Sequence, residues 1–388
     1  MCEIMSTKPL SARQVGAFVS SVFENDLHAK RVASLAGAAL GVIRAGSLCI
    51  HAIGHGLAKA ESLNSKHAIK QVDRMLSNEA IVMADVFTQW VPFVVGGRTE
   101  IVVALDWTEF DADNQSTIAV HLLTSHGRAT PLMWMTFEKS KMRDRRNKYE
   151  DRILTHLRDC LPEGVKVTIL ADRGFGDQKL YRLLMEELKF HFIIRFKGGI
   201  AVKSSVGEVR KAAEWVPANR RATLLRDVRV TKDEFPLPAV VCVKAAGMKE
   251  PWCLAVSDPA AKAADAVKLY GRRFTIEESF RDTKDIRFGM GLAATHIGDP
   301  DRRDRLLLIS ALAGALLTLL GAAGESLGMD RMLKANTSKK RSHSLFTQGT
   351  HYYGAIPTMR DDLLAPLTIA FVDLVKQHAV FQKIFGPI

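Results

Sequence analysis

Glu100-Ile-Val-Val-Ala-Leu-Asp106 and Val165-Lys-Val-Thr-Ile-Leu-Ala-Asp172 are the two stretches on which the fold turns. Each is a short apolar run that ends in an acid, and each reads as a strand. After the first, segments 116–123 and 131–137 read as two more strands. Turn signals at Ala112-Asp-Asn114 and Ser125-His-Gly127 separate them, which gives three strands in meander order. The next segment, 138–158, is strongly basic, with Lys139, Lys141, Arg143, Arg145, Arg146 and Lys148, and its second half reads as a helix. Beyond the second run, Arg173-Gly-Phe-Gly-Asp177 turns into a helix over 178–188, and 190–196 is a further strand. The glycines there lack the Gly-x-Gly-x-x-Gly order of a dinucleotide site. Three strands, a helix, a strand, a helix and a strand predict an α/β protein with a mixed sheet and helices on its faces.

Residues 1–95 read as helical. Val15, Phe18, Val19 and Phe23 recur at helical spacing. A second amphipathic helix covers 66–78, with Ile69, Val72 and Leu76 on its apolar side. Lys66, Lys70 and Arg74 form a basic stripe on this helix. The stripe suits DNA phosphates, although by itself an ordinary solvated face is the commoner case. His51 and His55 lack the glutamate of a zinc-binding His-Glu-x-x-His motif, so they read as a small-residue helix face. Segment 197–262 is irregular and strand-rich, with candidate strands at 223–231, 239–245 and 252–256, and it reads as an insertion into the sheet domain. From 290 onward the chain is mostly helical, interrupted by the basic loop Lys339-Lys-Arg-Ser-His343. The boundaries predicted are a helical domain at 1–95, a sheet domain at 96–330 with its insertion at 197–262, and a helical region at 331–388.

The net charge of +12 favours a polyanionic partner, either nucleic acid or an anionic membrane surface. Five scattered cysteines, at 2, 49, 160, 242 and 253, show no metal-ligand spacing and suggest reduced thiols in a cytosol. Met1 to Pro9 is mixed and polar, so no secretory signal is expected. Residues 306–324 carry no charge, which is borderline for a membrane span. Ser310, Thr318 and several small residues favour a buried helix there, with no membrane partner expected.

The chemistry is carried by Leu269-Tyr-Gly-Arg-Arg-Phe-Thr-Ile-Glu-Glu-Ser-Phe-Arg-Asp-Thr-Lys284. Wound as a helix, it places Tyr270, Arg273, Glu277 and Lys284 within an arc of about 60°. Ile276 and Phe280 read as the core-facing stripe beside it. An acid among bases suits a metal ion beside a phosphate backbone, or a solvated face with ion pairs. Asp106 and Asp172, each closing an apolar strand, complete a set of three carboxylates. Such a set suits hard divalent cations, Mg²⁺ above all. Two such ions can activate a water or a 3′-hydroxyl for in-line phosphoryl transfer. No His or Cys nucleophile with a fitting partner is evident.

The spacing Tyr270-x2-Arg273-x3-Glu277-x6-Lys284 resembles the Tyr-Arg-Glu-Lys signature of bacterial cut-and-paste insertion-sequence transposases of the DDE type. The stretches around Asp106 and Asp172 resemble the family's two other acidic motifs, so the likeness covers roughly residues 60–330. The resemblance implies a ribonuclease H-like domain with a strand-rich insertion. It implies Asp106, Asp172 and Glu277 as ligands of Mg²⁺, with Mn²⁺ able to substitute. It implies Tyr270, Arg273 and Lys284 as phosphate contacts, and cutting through a DNA hairpin. Trp252 occupies the place of a family tryptophan that takes up a flipped base. Stacking there is worth ~1–3 kcal/mol, and a core tryptophan in a strand is the equal alternative. Gly174 stands where some relatives carry Glu. The partners implied are the double-stranded transposon ends and target DNA, with a homodimer joined through the C-terminal helices, in the bacterial cytoplasm at the nucleoid. Two other readings share the charge: a non-catalytic DNA-binding remnant acting as repressor or inhibitor, and a stand-alone ribonuclease H-like nuclease.

Overall fold

The computed structural model describes residues 9–376 except Glu24, Asp144 and Arg220. Most of the polar opening Met1 to Pro9, Cys2 and the end of the C-terminal region therefore lie outside the described residues.

Five helices come first: α1 (Ala12–Phe23), α2 (Ala29–Ala45), α3 (Ile50–Glu61), α4 (Ser65–Leu76) and α5 (Met83–Val95). The apolar spacing read in α1 is its buried side, with Val15, Phe18, Val19 and Phe23 all inside. Small residues let α2 and α3 meet closely. A Cβ on Gly56 would stand 2.4 Å from the Gly41 carbonyl oxygen. His51 and His55 are exposed on the other side of α3. Asn64 caps α4 by accepting the Lys66 N–H at 3.0 Å. Val72 and Leu76 are buried, Ile69 partly so, and Lys66, Lys70 and Arg74 are exposed together.

The meander follows as β1 (Glu100–Phe110), β2 (Gln115–Leu122) and β3 (Thr130–Glu138). Then come α6 (Arg146–Cys160), β4 (Lys166–Ala171), α7 (Gln178–Arg182) and β5 (His191–Phe196). Segment 197–262 supplies β6 (Ala201–Lys203), β7 (Val209–Lys211), β8 (Thr223–Val230), β9 (Phe235–Val243) and β10 (Trp252–Val256). All ten strands form one sheet in the order β3-β2-β1-β4-β5-β10-β9-β8-β6-β7. The strand-rich segment thus extends the sheet, because β10 pairs antiparallel with β5. Strands β1, β4 and β5 run parallel, and every other pairing is antiparallel. The last helices are α8 (Ala263–Gly271), α9 (Thr275–Lys284), α10 (Pro300–Ser326), α11 (Leu345–Ala355) and α12 (Asp361–Lys376).

Helix α10 is the apolar run at 306–324, and 83% of its most apolar window is buried in the fold. Helix α11 crosses it at backbone distance: a Cβ on Gly349 would lie 1.8 Å from the Leu317 carbonyl oxygen. The charges that precede the run are anchors. Arg302 donates to Asp73 Oδ1 on α4 at 2.7 Å, and Arg305 donates to the Leu76 carbonyl at 2.9 Å. Arg303, fully buried, pairs with Asp113 and lies 3.9 Å over the Phe110 ring.

Asp304 accepts the Thr136 hydroxyl at 2.6 Å and the Thr136 N–H at 3.2 Å. Burial pushes its carboxyl up from 3.8 to about 7. Between these values the folded chain holds a proton that the unfolded chain has lost. This stabilisation is complete below about pH 4 and disappears as pH rises through about 7. Asp304→Asn is expected to gain on the native chain over that range, on the order of a few kcal/mol. Thermal melts at stepped pH test this, and parallel pH curves for the two proteins would contradict it.

Candidate active site

The register of two parallel strands sets the site. Leu105 on β1 stands opposite Ala171 on β4, and the next residue on each chain is an aspartate. The expectation that both acids close strands holds for Asp172 alone. Strand β1 continues to Phe110, paired with β2, so Asp106 sits inside the strand at the point where its parallel neighbour stops. Asp172 leaves the sheet and caps the short turn Arg173–Phe175, accepting the Gly174 N–H at 2.7 Å. A Cβ at Gly174 would press on this same carboxylate at 3.0 Å, so the glycine and the cap belong together.

Helix α9 lies over this point. It is not one uninterrupted turn sequence with α8: Arg272–Phe274 tighten into a 3₁₀ turn between them. The backbone stays right-handed through the join, so the basic and acidic residues still project to one side. Ile276 is buried and Phe280 half-buried on the core side, as their spacing indicates. Ala104, two residues before Asp106, packs with Tyr270 and Ile276. Strand alternation therefore points Asp106 at the same helices.

Arg273 stands at the centre, 5% exposed. Its Nη1 donates to Asp106 Oδ2 at 3.1 Å, and its Nη2 donates to Glu277 Oε1 at 2.8 Å. Asp106 is raised to about 6, chiefly by burial; Arg273 opposes the rise, and the nearby charges of Asp172 and Glu277 add to it. Arg273 feels all three acids and the Tyr270 phenol, which together outweigh its own burial and raise its pKa. Three acids from distant segments thus lie within electrostatic reach of one guanidinium.

The donor set is three carboxylates, which suits a hard divalent cation. Their arrangement here is not one that closes on an ion. Among the described residues, no three His, Cys, Asp or Glu side chains are grouped to hold a metal. Arg273 supplies the positive charge between Asp106 and Glu277 instead.

The remaining candidates divide. Lys284 Nζ donates to Thr108 Oγ1 at 2.8 Å and to the Glu109 carbonyl at 2.7 Å, which ties α9 to β1. Tyr270 is 1% exposed, so in this state it offers a phosphate almost no surface. Trp252, half-buried at the start of β10, meets Tyr270 edge-on with ring centroids 4.9 Å apart, and Phe274 lies 6.1 Å away. These aromatic rings and the acids share one end of α8. Lys66, Lys70 and Arg74 are on α4, outside this cluster. Sequence spacing gave no sign of a further ion cluster beside Trp252. There Glu250 Oε2 accepts Arg173 at 2.9 Å and Arg195 at 3.0 Å, from three separate segments.

No curated protein matches the chain significantly. The family model described as Transposase DDE domain matches residues 97–313, which include β1, β4 and all three acids. This match spans more than half of the 388 residues, and the chain belongs to the transposase DDE domain family.

Proposed function

We propose that this transposase acts by cut-and-paste: it binds the inverted repeats of its element, cleaves there, and joins the freed 3′-hydroxyl to target DNA. The observation that carries the reading is Arg273, which bridges Asp106 and Glu277 beside Asp172, where the parallel pairing of β1 and β4 ends at Leu105 and Ala171. The strand order β3-β2-β1-β4-β5, antiparallel and then parallel, supports a ribonuclease H-like core. Asp106, Asp172 and Glu277 would hold Mg²⁺, which Mn²⁺ could replace, once Arg273 releases the acids it pairs with; the ion would supply Lewis acidity for in-line phosphoryl transfer. Arg273, Tyr270 and Lys284 hold phosphates near the cut. Trp252 stacks a flipped base at a hairpin intermediate. Two copies pair the two ends, working in the bacterial cytoplasm. A second reading, a DNA-binding remnant that represses or inhibits, draws on the hold Arg273 keeps on two of the acids.

Metal-dependent cleavage of a duplex carrying the element's inverted repeats separates the two readings. Repeat binding in turn tests the N-terminal helices. Lys66→Ala, Lys70→Ala and Arg74→Ala combined are expected to weaken binding and flatten its salt dependence. Each phosphate that is no longer neutralised lowers the slope of log K against log salt by about 0.9. An unchanged slope would remove α4 from the interface.

A further inference from the structure

The loop that follows α9 carries two exposed apolar side chains on a braced tip. Asp285 Oδ1 accepts the N–H groups of Arg287 at 2.6 Å and Phe288 at 2.8 Å. The Asp285 carbonyl accepts Gly289 N–H at 3.1 Å and Gly291 N–H at 3.0 Å, and Met290 N–H returns to the Asp282 carbonyl at 2.8 Å. A Cβ on Gly289 would stand 2.4 Å from two backbone oxygens, so only glycine lets the loop close this tightly. The result is a fixed tip. On it Ile286 is 71% exposed and Phe288 76%, with exposed Arg287 between them.

Two large apolar side chains held out in water on a braced loop need a partner surface. The position of the tip indicates which. One foot is Lys284, tied to β1 beside the acids. The other foot is Met290, whose carbonyl accepts the Leu48 N–H between α2 and α3 at 2.8 Å. The tip therefore stands between the candidate active site and the N-terminal helices, on a chain of net charge +12. An arginine flanked by Ile and Phe suits a groove of duplex DNA, where apolar wedges part base steps and Arg meets the backbone charge.

We propose that Ile286, Arg287 and Phe288 form a wedge that enters the DNA beside the cut and parts a base step there. This rests on the transposase reading above, in which DNA joins the two regions. The test compares the full-length native protein with Ile286→Ala/Phe288→Ala on a repeat-end duplex carrying 2-aminopurine near the cleavage site. Native protein is expected to raise the 2-aminopurine fluorescence, and the variant to lose that rise and bind on the order of tenfold more weakly, the size of one stacking contact. Equal fluorescence and equal affinity in the two proteins would overturn the wedge. So would a change in self-association without DNA, read by light scattering, since the tip would then be a contact between copies. Failure of the native protein to bind or cut the duplex would instead sink the transposase reading itself.

Discussion

Glu277→Gln, Asp106→Asn and Asp172→Asn are each expected to abolish cleavage, by at least on the order of a thousandfold, while binding to the repeat ends persists. This is the scale on which single catalytic groups matter when they act as a unit. Glu277 is the cleanest of the three, since its side chain is 51% exposed. The amide keeps an acceptor for Arg273 and costs the fold little, so lost activity reports the missing charge. Asp172→Asn also keeps an oxygen that can accept the Gly174 N–H and preserve the cap. Cleavage is read on a labelled duplex in Mg²⁺, and binding by gel shift at the same protein concentrations. Full activity in any one of these variants would refute the site.

The parts of this site legible in the sequence were those written in local pattern. Two apolar runs ending in acids gave β1 and β4, and the spacing from Tyr270 to Lys284 gave the helical face. What stayed hidden depends on pairing between distant segments. Strand β1 reads as ending at Asp106 because Trp107-Thr-Glu-Phe110 breaks the apolar run, yet pairing with β2 carries it on to Phe110. The 197–262 segment reads as an insertion into the sheet domain, but nothing local says that β10 will meet β5 and carry the sheet on. Arg303 precedes the apolar run at 306–324, and only Asp113 and Gln115, brought near by the β1–β2 turn, make its burial tolerable. The same holds for Arg273. The family resemblance implies that it contacts phosphate, and only the fold shows that it pairs with Asp106 and Glu277.

That pairing has a measurable cost and a measurable consequence. Arg273→Ala is expected to destabilise the free protein by about 3 kcal/mol, the low end for breaking a buried ion pair. The low end applies because Glu277 is half exposed and water screens its share. Asp106, buried and already pushed up to about 6, loses its nearest positive charge. A guanidinium and a divalent cation compete for the same oxygens, Asp106 Oδ2 and Glu277 Oε1. Removing the guanidinium should therefore let Mg²⁺ raise the melting temperature of the variant by more than that of the native chain, at matched ionic strength. Arg273→Lys should fall between the two, since one ammonium keeps the charge but lacks the planar fork that reaches both acids. Equal Mg²⁺ shifts in all three proteins would show that Arg273 and the cation do not contend for the site. If the variant gains most, native Arg273 must release at least one acid when the ion enters. A freed guanidinium beside the scissile phosphate is the phosphate contact the family resemblance implies, so the same arginine would brace the acids before the ion enters and grip the phosphate afterwards.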